Sequence, residues 1–318
     1  MSEVRGPAGA KVSVIVCTWN RSETLQRCLQ SLEAQALAND AYEVVVVDNR
    51  SIDGTPGAVA GFASGTDMTV RYIREDRQGL SHARNAGIET AAGELLAFID
   101  DDCTVEPGYV EALLHAFEET GADLVAGRVT SVPPEDLMSD LPKRFDASKK
   151  LAHLDLGPER RAMLPHEYAL GGNLAVRKSL AVEVGGFKHE LGYSGESKVV
   201  GEDTEFCDRV RATGALMVWE PRAAVIHRVG PERFTRAAYR KAAFSYGQGS
   251  LRRSLAKNPD AGECTGAAVR SCLSIPLYGI AWVLALWSPA LRFEVELKMM
   301  SARGKLDAAL DYGRPLKW

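Results

Sequence analysis

Residues 42–55, YEVVVVDNRSIDGT, hold the pattern that decides the fold. Four consecutive valines are typical of a strand that is buried on both faces, because a half-exposed strand would alternate apolar with polar side chains. The polar and turn-forming residues from Asp48 onward predict that the strand, residues 42–47, ends there. This segment therefore predicts a strand of a parallel sheet with a polar loop at its carboxyl end.

The same pattern recurs on both sides of this segment. Short apolar runs predict further strands at 12–17, 70–73, 94–99, 124–129 and 216–219. Helical spacing of apolar residues predicts helices at 23–35, 81–92, from Pro107 to about residue 119, and 202–213. Strands that alternate with helices in this way predict βαβ units and a mostly parallel sheet. Residues 132–167 are charged and interrupted by prolines, which predicts an irregular excursion or lid.

Three polar clusters directly follow predicted strands: Thr18–Arg21, Asp48–Thr55 and Asp100–Thr104. The carboxyl ends of parallel strands meet at one edge of a sheet, where ligands gather. We therefore expect the three clusters to form one site.

Asp100, Asp101 and Asp102 stand at the end of a buried strand. Adjacent carboxylates repel one another unless a cation compensates for their charge. Hard oxygen ligands select Mg²⁺ or Mn²⁺ over zinc. The alternative is a solvated loop in which Asp102 or Thr104 caps the turn.

Four further residues have both a chemical and a purely structural interpretation. Asp48 could accept hydrogen bonds from a nucleobase or ribose, or hold an Asx turn. Arg84 could pair with a phosphate or base, or face water. Asp203 could be a general base, or an acid that the helix dipole favours in a first turn. His227 could be a ligand, or a core or surface histidine.

Seven stretches together resemble the family 2 inverting glycosyltransferases. They occur in that family's order across residues 11–227 and read VSVIVCTWNR, VVVVDNRSIDGT, GLSHARNAGI, AFIDDDCTVEPGYV, GGNLAVRK with GGF, GEDTEF and WEPRAAVIH. The resemblance implies an α/β, GT-A nucleotide-diphospho-sugar transferase fold, Rossmann-like, with a mostly parallel central sheet.

The resemblance also implies a role for most of the candidate residues. The nucleoside pocket would be formed by Thr18, Asn20, Arg21, Asp48 and Arg84. Asp100 and Asp102 would be the D-x-D pair at a Mn²⁺ or Mg²⁺ ion, with Asp102 the direct ligand and Asp101 placed with the donor-binding residues. His227 would face the metal or the diphosphate. Gly172, Asn173 and Glu202 would border the sugar and acceptor, and Asp203 would be the catalytic base.

The implied reaction is a single displacement at the anomeric carbon of a nucleoside-diphosphate sugar, with a UDP-sugar as the default donor. The acceptor would be a sugar, a glycolipid or a small molecule. Three other classes of protein differ from it. A nucleotidyltransferase would carry a glycine-rich phosphate loop after the first strand, and a dehydrogenase would carry G-x-G-x-x-G there, whereas this loop reads CTWNRSET. A non-catalytic nucleotide-sugar-binding protein would not need Asp100, Asp102 and Asp203 together.

We predict a catalytic domain at 1–230 and a basic helical region at 231–318. Residues 228–318 hold 15 Lys or Arg against 7 Asp or Glu, although the whole chain has a net charge of −4. The acidic remainder disfavours nucleic acid as a partner. Residues 271–291 carry no charge and have basic flanks. An interfacial or re-entrant helix fits them better than a membrane span, because prolines and a glycine interrupt them. The alternative is a helical hairpin that packs on the protein or forms a homodimer.

Six scattered cysteines predict buried free thiols in a reducing compartment. The first 11 residues lack an apolar stretch, which argues against a secretory signal peptide. We therefore expect a cytoplasmic protein, either free or peripheral on the inner face of the cell membrane.

Overall fold

The computed structural model describes residues 10–35, 37, 41–134, 140–143, 145, 152–194, 197–257 and 261–311. The chain divides into two compact units. The sheet unit is Met1–Val132, Leu151–His189 and Glu202–Val229, and the helical unit is Pro133–Lys150, Glu190–Gly201 and Gly230–Trp318. The predicted domain boundary at residue 230 lies at the end of the sheet unit. Two segments that we expected in the catalytic domain belong to the helical unit instead.

The strands are β1 (Val12–Thr18), β2 (Tyr42–Asp48), β3 (Val70–Arg74), β4 (Leu95–Asp100), β5 (Cys103–Val105), β6 (Leu124–Val132), β7 (Arg161–Ala162), β8 (Asn173–Arg177), β9 (Gly192–Ser194), β10 (Ser197–Val199) and β11 (Met217–Arg228). The helices are α1 (Ser22–Glu33), α2 (Thr55–Ser64), α3 (Leu80–Thr90), α4 (Tyr109–Thr120), α5 (Lys178–Glu183), α6 (Glu202–Ala212), α7 (Arg236–Lys257), α8 (Ala261–Leu284) and α9 (Pro289–Leu310). A 3₁₀ turn, Pro231–Phe234, precedes α7.

The sheet unit is built on one mixed sheet with the order β3-β2-β1-β4-β8-β6-β11-β5, and β7 pairs with β11. The strands β1 to β4 pair in parallel with one another, as do β6 and β11. β8 runs antiparallel to both of its neighbours, β4 and β6. The predicted α/β class is confirmed, but the sheet is less parallel than we expected, since β5, β7 and β8 were not predicted as strands.

The alternation along β2 explains the run of four valines. Val44 and Val46 pack in one apolar cluster with residues of α1, α2 and α4, such as Leu29. Val45 and Val47 pack in a second cluster with residues of α3, α5 and α6, such as Phe206. Helices therefore cover both faces of the sheet, and its loops are left to carry the chemistry.

In the helical unit, α7 and α8 both pack against α9. A Cβ atom on Gly247 would lie 2.0 Å from the carbonyl oxygen of Ser301, and one on Gly304 would lie 2.0 Å from that of Phe244. Only glycine allows α7 and α9 to approach this closely. The described part of residues 231–318 is therefore helical, as the sequence predicted.

Candidate active site

The carboxyl ends of β1, β2 and β4 lie side by side. The register pairs Thr18 with Asp48 and Cys17 with Asp100, so the three strands end at nearly the same level. Side chains connect the loops that follow: the backbone N–H of Asn20 donates to Ser51 Oγ (2.8 Å), and Ile52 N–H donates to Asn20 Oδ1 (2.8 Å). The structure thus brings the three predicted polar clusters to one edge of the sheet.

Asp101 and Asp102 share one arginine. Arg21 Nη1 lies 2.9 Å from Asp101 Oδ1 and 2.8 Å from Asp102 Oδ2. The hydroxyl of Thr18 donates to the other oxygen of Asp101 (2.7 Å). Burial raises the pKa of Asp101 to about 6, against the opposing effect of Arg21. Asp101, predicted among the donor-binding residues, therefore has both oxygens engaged within the protein and holds Arg21 beside Asp102.

His227 is oriented by a chain of hydrogen bonds. The hydroxyl of Ser131 donates to the carbonyl oxygen of Ala152 (2.6 Å), so it can only accept from His227 Nδ1, which lies 3.1 Å away. The proton of the neutral ring is then on Nδ1, and the lone pair of Nε2 faces Asp102 Oδ1 at 3.5 Å. Nε2 of this tautomer and Oδ1 of Asp102 are both groups that coordinate metal cations, while the other oxygen of Asp102 accepts from Arg21.

The pair Asp102 and His227 therefore fits a divalent cation. Ser131 fixes the ring tautomer in the way that outer partners do in metal sites. Within the described ranges, no group of three or more His, Cys, Asp or Glu residues is placed to hold an ion. A pair of protein ligands suits Mg²⁺ or Mn²⁺, which commonly complete their shells with water and substrate phosphates.

Arg84 lies beneath the edge rather than on it. It is 3% exposed, and its guanidinium pairs with Glu202 Oε1 (2.9 Å) and contacts Asp100 Oδ1 (3.4 Å). Burial, together with the charge of Asp203, raises the pKa of Glu202. A buried arginine that contacts two acids from distant parts of the chain fixes their positions relative to each other. The Arg84 and Glu202 side chains are thus arranged to position Asp100 rather than to face a ligand.

The two glycines of residues 171–172 are required by this packing. A Cβ on Gly171 would lie 2.5 Å from Arg84 Nη2, and one on Gly172 would lie 2.6 Å from Asp100 Oδ2. The backbone of Gly172 therefore lies against the carboxylate of Asp100, whose side chain is 43% exposed.

Asp203 opens α6 and is half-buried. Its Oδ2 accepts from the backbone N–H of Gly171 (3.0 Å), and its Oδ1 accepts from the N–H of Thr204 (2.6 Å). These bonds fix the plane of the carboxylate beside the glycine pair. Oδ1 also accepts from the hydroxyl of Thr204 (3.2 Å), so it is Oδ2 that keeps a lone pair able to accept a proton.

Asp48 is fully buried and has two internal partners. The N–H of Ser51 donates to its Oδ1 (2.7 Å) and the hydroxyl of Tyr72 donates to its Oδ2 (2.7 Å). Asp48 therefore holds the loop after β2, as its structural interpretation predicted, although the bond reaches Ser51, three residues on, rather than two as in an Asx turn. A contact of this carboxylate with a base or ribose remains a prediction.

Asn173 was predicted to border the sugar and acceptor, but its side chain points into the sheet. Its Nδ2 donates to the carbonyls of Arg128 and Ala223 (both 2.8 Å), and the hydroxyl of Tyr109 donates to its Oδ1 (3.0 Å). With 1% of the residue exposed, the amide ties β8 to β6 and β11. Its contribution to the site is to place Gly172.

The structure adds two residues that the sequence did not suggest. Asn49 donates to the carbonyls of Glu75 and Arg77 and accepts from the N–H of Gly79, which sets the loop before α3. Trp19 directly follows β1 and is 44% exposed, so it offers an aromatic surface at the edge. Both lie within polar clusters that the sequence singled out, Thr18–Arg21 and Asp48–Thr55, but neither is charged, and the sequence alone indicated no separate role for them.

Sequence comparison finds relatives of this chain among known proteins. The profile described as Glycosyl transferase family 2 matches residues 13–184, just over half of the chain. The chain is 33% identical over 180 residues to Glycosyltransferase AglE of Haloferax volcanii, an alignment that covers 57% of each protein. It is 28% identical over 226 residues, 69% of each protein, to the Glucosyl-dolichyl phosphate glucuronosyltransferase of the same organism.

Solved structures share the fold. The mannosyltransferase PcManGT from Pyrobaculum calidifontis, in complex with GDP-Man and Mn²⁺, aligns with a TM-score of 0.58 and 21% identity over 97% of this chain and 76% of that one. S. aureus TarS 1-349 in complex with UDP-GlcNAc aligns with a TM-score of 0.53 and 22% identity over 74% of this chain and 66% of that one. Both confirm the GT-A architecture.

Proposed function

The chain belongs to glycosyl transferase family 2, and from that premise we propose that it transfers a sugar from a nucleoside-diphosphate sugar to an acceptor hydroxyl with inversion. The observation that carries the proposal is the Asp102 and His227 pair. The lone pair of His227 Nε2 and the carboxylate of Asp102 lie together near the carboxyl end of β4.

The residues that would hold a divalent cation are Asp102 and His227, with Asp100 nearby. When bound, the ion offsets the negative charge that grows on the departing nucleoside diphosphate. Arg21, which contacts Asp102 and is 43% exposed, supplies a fixed positive charge at the same place. PcManGT, described with GDP-Man and Mn²⁺, supports this cofactor.

Asp203 is the general base in this proposal. The Gly171 N–H holds one carboxylate oxygen, so the group can take the proton of an acceptor hydroxyl without reorienting. Attack then occurs on the face of the sugar opposite the leaving group, and inversion follows because no protein nucleophile intervenes.

The donor that we propose is a UDP-sugar, with a GDP-sugar as the second choice because PcManGT is described with GDP-Man. We propose a sugar of a glycan or of a lipid-linked glycan as the acceptor. The name of the glucosyl-dolichyl phosphate glucuronosyltransferase supports the lipid-linked form.

The test is turnover of UDP- and GDP-sugars with Mn²⁺ and a panel of glycan acceptors, with the anomeric configuration of the product read by NMR. Asp203→Asn should lower turnover about 10²–10⁴-fold. Asp208→Asn, the same change on the opposite side of α6, should keep activity near wild type. Donor binding without turnover by any acceptor, and equal behaviour of both variants, would favour the non-catalytic binding protein.

A further inference from the structure

One face of α8 is apolar and exposed. Its members recur every three or four residues and continue past the end of the helix: Val269, Leu273, Leu277, Ile280, Leu284 and Trp287. Leu273 is 67% exposed, Leu277 63% and Trp287 78%. Among the described helices, α8 is long and apolar enough to cross a membrane: an 18-residue window within Gly262–Leu284 has a mean hydropathy of 1.5, and 11% of that window is buried. We call this face the apolar stripe.

A cavity of about 470 Å³ lies between α7, α8 and α9. Five of the residues that line it are serines, among them the buried Ser271. Three cations also line it: Arg270, Lys298 and Lys305. Hydroxyl donors with several cations are the groups that bind a phosphate. Glu263 lines it as well and accepts a hydrogen bond from Ser254.

The three cations of this cavity have no ion-pair partner within the part of the chain that the structure describes, although the carboxylate of Glu263 lines the same cavity. Arg270, Lys298 and Lys305 take part in none of its ion pairs, whereas Arg240, on the same helical unit, pairs with Glu296 at 2.8 Å. Exposed cations beside an exposed apolar face are the arrangement of proteins that bind anionic bilayers.

The stripe and the cavity adjoin on α8. At 3.6 residues per turn, the cavity-lining positions 267, 271 and 274 lie about 120° around the helix from the stripe. Arg270 lies at the border between the two faces. A lipid could therefore place its phosphate in the cavity while its chains follow the stripe.

We propose that α8 docks the protein on an anionic bilayer, with the stripe in the apolar boundary and the phosphate of a lipid headgroup in the cavity. Trp287 fits this orientation, since it ends the stripe with 78% of its surface exposed and an amphipathic aromatic prefers the headgroup level. The proposal stands independently of the transferase chemistry.

Two other arrangements fit less well. If α8 crossed the bilayer, Arg270 would lie about 12 Å along the helix from Gly262, where a charge is costly. If a second copy covered the stripe, its own Arg270, Lys298 and Lys305 would lie close to the same three cations of the first copy. An anionic lipid surface provides an apolar boundary for the stripe and negative charge for the cations of the cavity.

The first experiment is co-sedimentation with vesicles of phosphatidylcholine alone and of phosphatidylcholine mixed with phosphatidylglycerol. The full chain should pellet with the mixed vesicles and remain soluble with the neutral ones. Leu277→Glu should lower binding about tenfold or more. Val182→Glu, the same kind of change at an exposed apolar residue (59%) of the sheet unit, should leave it unchanged. An equal loss of vesicle binding in both variants, or no loss in either, would contradict a role for the stripe in membrane docking. Resistance to alkaline carbonate extraction would indicate a spanning helix and contradict surface docking.

The second experiment tests the cavity. Lys298→Gln and Lys305→Gln should each lower binding to mixed vesicles about fivefold. Arg303→Gln, on the other side of α9, is the control and should have a smaller effect. Equal effects of all three would mean diffuse attraction without a phosphate site. Sodium phosphate, compared with chloride at the same ionic strength, should compete with the lipid phosphate and release more of the protein. Equal release by both salts would overturn the phosphate site in the cavity.

Discussion

The cations of the two units differ in what surrounds them. At the edge of the sheet unit, Arg84 is buried and joined to Glu202 and Asp100, and Arg21 joins Asp101 to Asp102. In the helical unit, Arg270 and its neighbours line a cavity in which the described residues offer them no ion pair. Charges paired inside the protein fix geometry, whereas charges left for an outside partner provide attraction. We conclude that the sheet unit is organised for positioning and the helical unit for association.

The largest expected effect tests this contrast with one substitution in each unit. Arg84→Met leaves Glu202 buried without its partner and should lower the free energy of unfolding by about 3–5 kcal/mol. Arg270→Met removes an exposed arginine with no ion-pair partner in the described structure and should leave stability nearly unchanged. Urea unfolding of both variants measures the difference. Similar stability losses would remove the distinction between the two units.

The second effect concerns Ser131, which touches no ligand in our account. Ser131→Ala frees the ring tautomer of His227 and should weaken Mn²⁺-dependent nucleotide binding about tenfold. Ser64→Ala removes an exposed hydroxyl on α2 and should change nothing. Calorimetric titration of nucleotide at a series of Mn²⁺ concentrations gives both values. If metal-free binding fell equally in Ser131→Ala, the tautomer argument would be wrong.

The third effect is confined to the contact between Gly172 and Asp100. Gly172→Ala places a methyl 2.6 Å from Asp100 Oδ2 and should displace that carboxylate. We expect a penalty of about 1–2 kcal/mol in donor binding, with the protein still folded. Gly57→Ala, where a Cβ meets nothing within 4 Å, is the matched control. Unchanged donor affinity in Gly172→Ala would show that Asp100 is not held where the structure has it.

The smallest expected effect is an increase in stability. Arg50 follows β2 with a φ of 67°, a left-handed conformation that glycine adopts more easily. Arg50→Gly should therefore stabilise the protein by about 0.5 kcal/mol. Arg27→Gly, in the middle of α1, should instead destabilise it by about 1 kcal/mol. Thermal unfolding reports the sign of each change, and a loss of stability in Arg50→Gly would mean that its side chain has contacts that outweigh the strain.

Much of the parallel part of the fold could be predicted, because β1, β2 and β4 are continuous apolar runs ended by polar loops. β8 could not, since residues 173–177 are short and follow two glycines. α2 was missed because its sequence, TPGAVAGFAS, contains glycines that lower helix propensity.

The site divides in the same way. The shared edge followed from strand order, so Thr18, Arg21 and Asp102 could be brought together from sequence, whereas His227 joined them only through the family resemblance. Which carboxylate each polar side chain would contact could not be predicted, because the hydrogen bond from Thr18 to Asp101 spans 83 positions and depends on strand register. The uncharged run 271–291 was visible in the sequence, but the position of its exposed face relative to the cations required the packing of α8 on α9.

The central claim is a metal-assisted nucleotide site at the edge of the sheet, and calorimetry tests it most directly. UDP, GDP and dTDP would be titrated into the protein with Mn²⁺ and with EDTA, beside Asp102→Ala. The account predicts that one nucleotide binds in a Mn²⁺-dependent manner and that the substitution abolishes this dependence. Binding that is equally strong in EDTA and in Asp102→Ala, or no binding of any nucleotide to the folded protein, would contradict it.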